Sequence, residues 1–454
     1  MAEILYHPDD PIVAAATPMA MSALTLIRTS GAGTIERISR IFSRPDTLKE
    51  STGHRAIYGS ILDESKAKVD EVVLVVFLAP HSFTGEESVE ITAHGSPPGI
   101  RTIIDLLIRA GFRTASPGEF TLRAFLNGKI DLTKAEAIRE LVESKTNAAH
   151  RLALNRLDGN LSRCFDFVRG ELLDLISPVE LALDYPSEET GEELEPGFDV
   201  GRTESLIDLL DGLINGHKTG RIYQDGLSVV IAGATNSGKS SLFNAIVRQD
   251  RAIVSPEHGT TRDYIESLVD VRGVPVKLFD SAGIRSETDY VEHEGINRTY
   301  SLISASDCVV YLVDGATGIS ENDLRVLETI DEARLIKVYS KSDITSGRPP
   351  DGFLSASAVT KDGLTALEDR IVDMFGITEM NGSTLLIESD HQRRALDECK
   401  AALQRAIKAS IDAEPLDLVA AELGDARRAI AELVGEITRD DILESIFSKF
   451  CVGK

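Results

Sequence analysis

The spacing of apolar residues predicts two separate helical regions in this chain of 454 residues. Between about residues 129 and 220, apolar residues recur at steps of three or four, the period with which an α-helix returns to one face. The members of this first series are Leu157, Leu161, Cys164, Val168, Leu172 and Ile176. The second series is Leu416, Val419, Leu423, Ala426, Ile430, Leu433 and Ile437, and it begins just after Pro415, which favours a first helical turn. The simplest arrangement joins both regions in one helical bundle.

Shorter apolar runs dominate the first part of the chain. Residues 23–28, 71–78 and 89–93 have the length and composition of strands, and residues 100–110 have helical character. The first 128 residues are therefore predicted to form an α+β domain. The longest apolar runs, such as residues 72–78, are far too short to span a bilayer.

An apolar run, a glycine-rich loop and a helix-forming segment follow one another between residues 227 and 247. The loop reads GATNSGKS (233–240), which is G-x4-G-K-S in the strand–loop–helix context of a phosphate-binding loop. Glycines let successive backbone N–H groups turn towards phosphate oxygens. Lys239 supplies a point charge for the phosphates, the Ser240 hydroxyl binds Mg²⁺, and the helix N-terminus adds partial positive charge. We predict a nucleotide site here.

Two downstream segments are suited to the phosphate end of a nucleotide. GTTRD (259–263) places a threonine hydroxyl, that of Thr261, at a second Mg²⁺ position. VKLFDSAG (276–283) ends a strand at Asp280, whose carboxylate can hold the magnesium shell. Gly283 lets the backbone approach the γ-phosphate.

Two further segments are suited to a guanine base. The predicted strand at residues 335–338 runs into SKSD (340–343), where Asp343 can accept two guanine N–H groups that adenine does not offer. Ser357-Ala-Val then provides a backbone amide for the guanine oxygen. The predicted GTP-binding residues are Asn236, Ser237, Gly238, Lys239, Ser240, Ser241, Ser255, Thr260, Thr261, Asp280, Ser281, Ala282, Gly283, Ser340, Lys341, Asp343, Ser357, Ala358 and Val359.

The order of these elements resembles the Era and TrmE group of GTPases, with three departures. Thr235 stands where the loop of that group usually carries proline, and DSAG replaces the commoner DTAG. Ser340 replaces the asparagine of the N-K-x-D motif. A serine donates one hydrogen bond and loses the paired contacts of an amide, so we expect specificity through Asp343 to survive and affinity to drop.

The residue after the D-x-x-G motif is Ile284, where Ras-like proteins use a glutamine to orient the attacking water. Isoleucine forms no such hydrogen bond, so either hydrolysis is very slow or another group does this work. Asn236 lies in the loop beside the expected β–γ bridging oxygen. Its amide either stabilises the loop or ligates a monovalent cation that neutralises charge in the transition state. Polar residues 255–260 can close over such an ion.

Three long segments extend the resemblance to the whole chain: FTGEESVEITAHG (83–95), PGEFTLRAFLNGKIDLTKAEA (117–137) and IFSKFCVGK (446–454). They are similar to the MnmE (TrmE) family of tRNA modification GTPases. The resemblance implies joint action with an FAD-containing partner, MnmG (GidA), in a heterotetramer or larger complex. It implies an aminomethyl-type (carboxymethylaminomethyl) group formed on the wobble uridine of certain tRNAs. It also implies a 5-formyl- or methylene-tetrahydrofolate as one-carbon source, activation by potassium, and a homodimer formed through the N-terminal domains.

The resemblance also implies roles for individual residues. Glu292 matches the position of the group that acts on the water, although Glu287 and Glu294 are equally plausible on sequence alone. The implied K⁺ ligands are Asn236, Ser255, Glu257 and Thr260, and the Mg²⁺ ligands are Ser240 and Thr261. The implied folate residues are Arg28, Glu90, Lys129 and Lys454. Without the resemblance, Arg28, Glu90 and Lys129 would be interpreted as surface charges.

Cys451, near the end of the chain, has two interpretations. A lone cysteine at this place is commonly structural or incidental. If the tail that ends in Lys454 reaches a folate pocket, the thiol is instead a candidate catalytic group, which requires a lowered pKa.

The predicted organisation has three parts. Residues 1–128 form the N-terminal folate-binding-like and dimerisation domain, and residues 129–220 with 380–454 form the helical domain. The Ras-like α/β GTPase domain, 221–379, is inserted between the helical parts, with Gly220 and Gly376 near the junctions. The acidic residues 184–199 form either a solvated linker or an interaction segment.

Charge and cysteine content limit the kinds of partner, cellular location and metal site that the sequence predicts. The net charge of −25 argues against a large basic RNA-binding face, so a partner is expected to supply most of the tRNA-binding surface. The N-terminal residues MAEILYHPDD lack a signal-peptide core, and we expect a cytoplasmic protein. The four widely spaced cysteines predict neither a disulfide framework nor a zinc site.

Two other functions stay open from sequence. The first is a regulatory or ribosome-assembly GTPase switch without modification chemistry. The second is a folate-dependent one-carbon transferase regulated by GTP.

Overall fold

The computed structural model describes residues 10–184, 198–247, 265–280, 301–345, 348–377, 385–436 and 440–453. The chain divides into two compact units. The first contains Met1–Arg139, Ser162–Arg169 and Arg427–Lys454, and the second contains Glu140–Leu161 and Gly170–Ala426.

The first unit contains a six-stranded sheet. Its strands are β1 (Ile12–Ala15), β2 (Ser22–Ser30), β3 (Arg55–Leu62), β4 (Lys68–Phe77), β5 (Ser88–Gly95) and β6 (Arg113–Thr114), in the order β3-β4-β5-β2-β1-β6. All neighbours are antiparallel except β1 and β6. The three predicted runs at 23–28, 71–78 and 89–93 lie in β2, β4 and β5, which confirms them as strands.

One face of this sheet carries the core of the α+β fold. Four helices accompany it: α1 (Thr34–Ser39), α2 (Pro45–Lys49), α3 (Pro97–Arg109) and α4 (Glu119–Leu126). Alternate strand residues such as Leu74, Val76 and Ile91 are fully buried with Ile103 and Leu107 of α3. Period-two burial on the strands and period-3.6 burial on α3 are what the sequence pattern predicts. The helix expected at 100–110 begins three residues earlier, because Pro97 and Pro98 suit a first turn.

The second unit contains the other six-stranded sheet. Its strands are β7 (Leu227–Gly233), β8 (Ile265–Val271), β9 (Val274–Asp280), β10 (Cys308–Asp314), β11 (Leu335–Ser340) and β12 (Phe353–Ser355). The order is β12-β11-β10-β7-β9-β8, and every pair is parallel except β8 with β9. Described helices beside these strands include α9 (Lys239–Val247), α10 (Glu321–Thr329) and α11 (Leu364–Met374). This is the doubly wound Ras-like order, so the predicted fold class is confirmed.

Helices make up most of the remaining described chain. They are α5 (Leu132–Glu143), α6 (Asn147–Leu157), α7 (Asn160–Asp184), α8 (Val200–Asp225), α12 (Asp390–Ile411), α13 (Leu416–Val434) and α14 (Asp440–Phe447). The period predicted after Pro415 is confirmed, since Val419, Leu423, Ala426, Ile430 and Leu433 of α13 are buried. The last residue of that series, Ile437, lies outside the described residues.

The earlier helical series was wrong at its start. Leu157 is the last residue of α6, so the helix ends there, and the next helix, α7, begins at Asn160. Gly159 has a φ of 79°, a left-handed conformation that ends helices and that an L side chain rarely adopts. Beyond the break, Leu161, Val168, Leu172 and Ile176 are buried as expected, and Cys164 is half-buried.

Gly220, which was predicted to lie near the start of the inserted domain, is part of a helix. It lies inside α8, which continues to Asp225, two residues before β7 starts. A Cβ on Gly220 would lie 2.3 Å from the carbonyl oxygen of Ile387, so the glycine permits close contact with the segment that enters α12. Gly376 has a φ of 66° two residues after α11 ends, in agreement with a helix-terminating glycine.

A buried arginine holds that same segment. The Arg156 guanidinium of α6 pairs with Glu140 and, at 2.6 Å, with Glu388, and its Nε donates to the carbonyl of Leu386 at 3.1 Å. Burial works against the charged form, but the two carboxylates outweigh it and raise the pKa of Arg156. Arg156 thus fixes residues 386–388 to α5 and α6.

None of the described helices has the length and apolar character needed to cross a membrane.

Candidate functional site

The loop between β7 and α9 has the backbone conformation that a phosphate cradle requires. Gly233 and Gly238 have φ values of 143° and 95°, and Asn236 is also left-handed at 65°. A Cβ on Gly233 would lie 2.2 Å from the Leu312 carbonyl, so only glycine fits between β7 and β10. Asparagine tolerates the left-handed region better than most residues. The loop is thus bent at three of its eight positions, as the sequence pattern predicted.

Lys239 folds back over this loop. Its Nζ donates to the carbonyl oxygens of Gly233 and Ala234 at 3.1 and 2.8 Å. These bonds hold the ammonium group at the mouth of the loop, where phosphate oxygens can replace the carbonyls. Ser240 and Ser241 are exposed in the first turn of α9. A hydroxyl at that place is the hard oxygen ligand that Mg²⁺ prefers.

Asp280 lies where the predicted magnesium shell needs a carboxylate. It is the last residue of β9, it is 2% exposed, and it pairs in register with Ile231 of β7. The loop after β7 lies at the topological switch point, because β9 flanks β7 on one side and β10 on the other. The carboxylate is therefore beside the start of the phosphate loop, as expected.

The guanine segments come together at the ends of β11 and β12. Asp343 Oδ1 accepts a hydrogen bond of 2.6 Å from Ser357 Oγ, and the fully buried Ser357 accepts in turn from the Val359 amide at 3.2 Å. Asp343 itself is exposed, and Ala358, which follows Ser357 in sequence, is half-buried. The predicted base-reading carboxylate is thus held in place by the predicted amide-bearing turn.

Lys341 is fixed between these elements. It has a left-handed φ of 57°, and its Nζ lies 2.7 Å from Asp314 Oδ2 at the end of β10. Burial opposes ionisation of Asp314, but hydrogen bonds from Lys341 and from the Ala316 amide outweigh it and lower the pKa of that carboxyl. The ion pair connects the guanine motif after β11 to the end of β10.

Ser340 connects the guanine motif to the phosphate loop. Its Oγ lies 2.6 Å from the carbonyl oxygen of Ser237 in that loop, to which it donates, and 3.1 Å from that of Val313. The expected loss of guanine affinity at this position stays a prediction. Ser237 is fully buried at this contact.

Several predicted site residues lie outside the described residues. They are the switch and ion residues Ser255, Glu257, Thr260, Thr261, Ser281, Ala282 and Gly283, the candidate catalytic residues Glu287, Glu292 and Glu294, and the C-terminal Lys454. Ile284 and most of the acidic segment, residues 185–197, are outside them as well.

The first unit brings together Arg28 and Glu90, two of the predicted folate residues. They are paired in register on β2 and β5, and Arg28 Nε donates to Glu90 Oε1 at 2.9 Å. The guanidinium carbon of Arg28 lies 5.6 Å from the Phe83 ring centre and 5.8 Å from that of Phe120. Phe83 is 40% exposed, so an aromatic face is available beside the ion pair.

Lys129 contacts the same loop that carries Phe83. Its Nζ donates to the carbonyl of Pro80 at 3.0 Å. A Cβ on Gly85, whose φ is 80°, would lie 3.3 Å from Lys129 Cγ, so the lysine stem packs along a glycine. Residues 80–85 therefore connect Lys129 to the aromatic surface beside Arg28.

A buried ion network supports this loop. Arg123 is fully buried and bonds Glu86 Oε2 at 3.0 Å, Glu119 Oε1 at 2.9 Å and the Asp10 carbonyl at 2.8 Å. Ser30 Oγ also donates to Glu86 at 2.7 Å. Burial alone would raise the pKa of Glu119, but bonds from Arg113, the Ser116 amide and Arg123 outweigh it, so that pKa is lowered. Glu86 is thereby fixed, one residue from Gly85.

The C-terminal tail returns to the same sheet. A Cβ on Gly453, whose φ is 95°, would lie 2.6 Å from the carbonyl oxygen of Ala15 in β1. Ala14, the preceding residue, is the register partner of Arg28. Distant parts of the chain thus meet near Arg28.

Cys451 is the exposed member of the four cysteines, all of which the structure describes. Burial raises the pKa of the Cys308 and Cys399 thiols to about 12, and it also raises that of Cys164. A thiol with a raised pKa forms little thiolate near neutral pH and is a poor nucleophile.

Sequence reasoning missed the exposed Phe83 as part of this surface, and it missed Phe120, Glu86 and Arg123 as the residues that support it. All four lie in the two segments quoted for the resemblance, 83–95 and 117–137. The available signal was a glutamate pair in FTGEE and an arginine in an otherwise apolar helix, TLRAFL. Buried charge of this kind is uncommon unless it is paired.

Two family profiles together match nearly the whole chain. The profile described as "GTP-binding protein TrmE N-terminus" matches residues 11–129, and that described as "MnmE helical domain" matches residues 132–451.

Curated relatives match over their full length. A protein of Borrelia recurrentis (strain A1) called tRNA modification GTPase MnmE is 39% identical over 99% of this chain and 99% of its own. Proteins of the same name from Treponema denticola and Carboxydothermus hydrogenoformans are 38% and 35% identical, over 99% and 98% of this chain. Full coverage of both chains means that all parts of the relatives have counterparts here.

Among solved structures, the G domain of the Thermotoga maritima FeoB iron transporter is 26% identical over 33% of this chain and 98% of that chain, with a TM-score of 0.26. The overlap is partial, and the assignment of the nucleotide-binding fold rests on the strand order given above.

Proposed function

Since the chain belongs to the MnmE family of tRNA modification GTPases, we propose that it couples GTP hydrolysis to modification of the wobble uridine of certain tRNAs. It does so with an FAD-containing MnmG partner and forms an aminomethyl-type group, carboxymethylaminomethyl in the full reaction. The observation that carries this proposal is the 39% identity over 99% of both chains. The cradle at residues 233–240 and the Asp343–Ser357 pair support the GTP-dependent half.

In this proposal the nucleotide is held by the phosphate loop, by Asp280 and by the guanine segments. Lys239 exchanges its two carbonyl acceptors for phosphate oxygens, and its charge stabilises the β- and γ-phosphates. Ser240 and Thr261 ligate Mg²⁺, which when bound neutralises phosphate charge. Asp343 accepts from the guanine N–H groups while Ser357 holds it in place.

A potassium ion is the proposed activator of hydrolysis. The proposed oxygen ligands are Asn236, Ser255, Glu257 and Thr260. Asn236 has a left-handed backbone conformation and is exposed to solvent. Purified protein with Mg²⁺ and GTP is therefore expected to turn over faster in K⁺ than in Na⁺. Equal rates in the two salts, or an unchanged K⁺ response in Asn236→Ala, contradict the proposal.

Glu292 is the proposed group that orients or activates the attacking water, since Ile284 cannot. Glu292→Ala should lower kcat by about 10²-fold, a typical scale for a positioned acid–base group, with GTP affinity unchanged. Glu287→Ala and Glu294→Ala are the matched comparisons. If either of these shows the loss and Glu292→Ala does not, the role belongs to that residue instead.

A tetrahydrofolate is the proposed one-carbon donor, bound in the first unit. The Arg28–Glu90 pair offers a charged edge for carboxylates and for the pterin N–H groups, and Phe83 offers an aromatic face. Lys129 and Lys454 add positive charge, which suits the glutamate tail of a folate. These charged and aromatic groups suit such a ligand.

Cys451 is a proposed participant in the modification step. It is exposed and two residues from Gly453, which packs on Ala15 beside Arg28's register partner. Cys451→Ser should impair tRNA modification in cells and leave GTP hydrolysis unchanged. Normal tRNA modification in that variant would show that Cys451 has no role in the reaction.

The proposed assembly is a homodimer formed through the N-terminal domain, 1–128, within a larger complex with MnmG, in the cytoplasm. We propose the helical domain as 129–220 with 380–454, and the inserted GTPase domain as 221–379. Light scattering should report a dimer for the full chain. A monomer at micromolar concentration contradicts this assembly.

A further inference from the structure

The Ser340 hydroxyl has an environment that decides which atoms of a purine the site can recognise. Its oxygen is 2.6 Å from the Ser237 carbonyl and 3.1 Å from the Val313 carbonyl, and Ser340 is 6% exposed. Both neighbours are acceptors only, so the hydroxyl is the donor, and its proton is directed to the nearer Ser237 carbonyl or shared between the two. A serine hydroxyl has one proton, and here the protein itself takes it.

The phosphate loop also covers Ser340. A Cβ on Gly238 would lie 3.9 Å from Ser340 Oγ, and the Ser340 carbonyl accepts from the Gly315 amide at 3.0 Å. The Gly315 bond fixes the backbone of Ser340, and turning the side chain towards a base would break its buried hydrogen bond to the Ser237 carbonyl.

The chemistry of guanine makes this arrangement consequential. Its N1–H and exocyclic amine are donors, which suit the Asp343 carboxylate, but N7 is an acceptor and needs a donor from the protein. An asparagine at position 340 has two N–H groups and can serve the loop and N7 together, whereas a serine cannot. With serine at position 340, the hydrogen bond to the phosphate loop is kept and a hydrogen bond to N7 is not formed.

We propose that Ser340 makes this chain indifferent to purine N7, so that 7-deazaguanine nucleotides bind as well as guanine nucleotides. Recognition then rests on the N1 edge, through Asp343, which Ser357 holds by its 2.6 Å hydrogen bond. The inference rests on the proposed guanine-nucleotide site and adds the class of base analogue that it accepts.

The test is competition of GDP and 7-deaza-GDP against a fluorescent GDP on the full-length protein with Mg²⁺. The expected ratio of the two dissociation constants is within about twofold of one. Binding of 7-deaza-GDP about tenfold weaker than GDP overturns the inference and leaves the guanine site in place. Failure to bind either nucleotide contradicts the guanine site itself, so the two failures are distinguishable.

Two variants assign the effect to position 340. Ser340→Ala removes the tether, so both nucleotides should weaken equally and the ratio should stay near one. Ser340→Asn should restore discrimination and raise the ratio to about fivefold, as expected for one neutral hydrogen bond. A ratio near one in a folded, GDP-binding Ser340→Asn protein contradicts the role of this residue. If Ser340→Asn does not fold, the wild-type ratio alone still decides the inference.

Discussion

Arg123 illustrates how single residues carry the first unit. Its guanidinium has no exposed surface and bonds two carboxylates and a backbone carbonyl. A buried charge without its partners is costly, because neither water nor a counter-ion solvates it. The network therefore commits residues 84–86 to one position, and with them the Phe83 side of the candidate folate site.

Replacement of Arg123 by methionine should destabilise the protein by about 3–5 kcal/mol, because Glu86 and Glu119 lose a buried partner. The matched control is Arg202→Met. Arg202 also pairs with two carboxylates, those of Glu171 and Asp174, but its side chain is 37% exposed. That variant should lose at most about 1 kcal/mol. Urea unfolding followed by circular dichroism measures both, and equal losses would contradict the importance of burial.

At the residue scale, sequence predicts types of contact better than their partners. The bends at Gly233 and Gly238 follow from the G-x4-G-K-S pattern, and the Asp343 carboxylate follows from its motif. The partner of Ser340 does not, because it depends on where the Ser237 carbonyl lies after β7, β10 and β11 have paired in register. Ion pairs such as Arg28–Glu90 likewise require the pairing of β2 with β5, which spacing alone does not reveal.

Glycines determine how close the elements of the second unit approach. Gly220 faces the carbonyl of Ile387, while Gly212 on the same helix has nothing within 4 Å of its would-be Cβ. The contact at Gly220 and the Arg156 bonds both act on residues 386–388, which enter α12. Helix α8 is thus locked to the segment that precedes α12.

Gly220→Ala should lower the thermal unfolding midpoint, because its methyl group would lie 2.3 Å from the Ile387 carbonyl and displace that backbone. Gly212→Ala is the control and should be neutral or stabilising by up to about 1 kcal/mol, since alanine favours a helix. Calorimetry of the two variants gives opposite signs if the packing is as described. A shift of the same sign and size in both contradicts it.

The candidate folate site is an assembly of elements rather than of neighbours in sequence. It combines β2, β5, the 80–86 loop, the residues after α4 and the C-terminal tail. Period and composition predicted β2 and β5, but neither β1 nor the return of Gly453 to it was predicted. The end of α6 was not predicted either, because it depends on the left-handed backbone conformation of Gly159.

Arg28→Ala and Lys129→Ala should each weaken binding of 5-formyltetrahydrofolate by about 1.5–3 kcal/mol, the scale of one charge-assisted hydrogen bond. GTP turnover should be nearly unchanged, because the nucleotide residues belong to the other compact unit. Arg101→Ala, an exposed arginine on α3, is the control and should bind normally. Titration calorimetry measures all three. Unchanged affinity in both site variants would leave the N-terminal domain with a docking role.

For the molecule as a whole, composition and architecture agree on a division of labour. A net charge of −25 does not favour a broad RNA-binding face, and we propose that the MnmG partner supplies most of the tRNA contacts. In this proposal the chain supplies nucleotide turnover in one unit and the candidate folate surface in the other. A regulatory switch would need only the first of these, and a GTP-regulated transferase would depend chiefly on the second.

The most direct test of this account is mass spectrometry of tRNA nucleosides from a strain that lacks the gene. The strain is complemented with the wild-type chain, with Lys239→Ala or with Gly212→Ala as a control. Wobble uridines with aminomethyl-type groups should disappear without the gene, return with the wild-type and control chains, and stay absent with Lys239→Ala. Unchanged wobble nucleosides in the deletion strain would contradict the tRNA modification function and favour a regulatory GTPase.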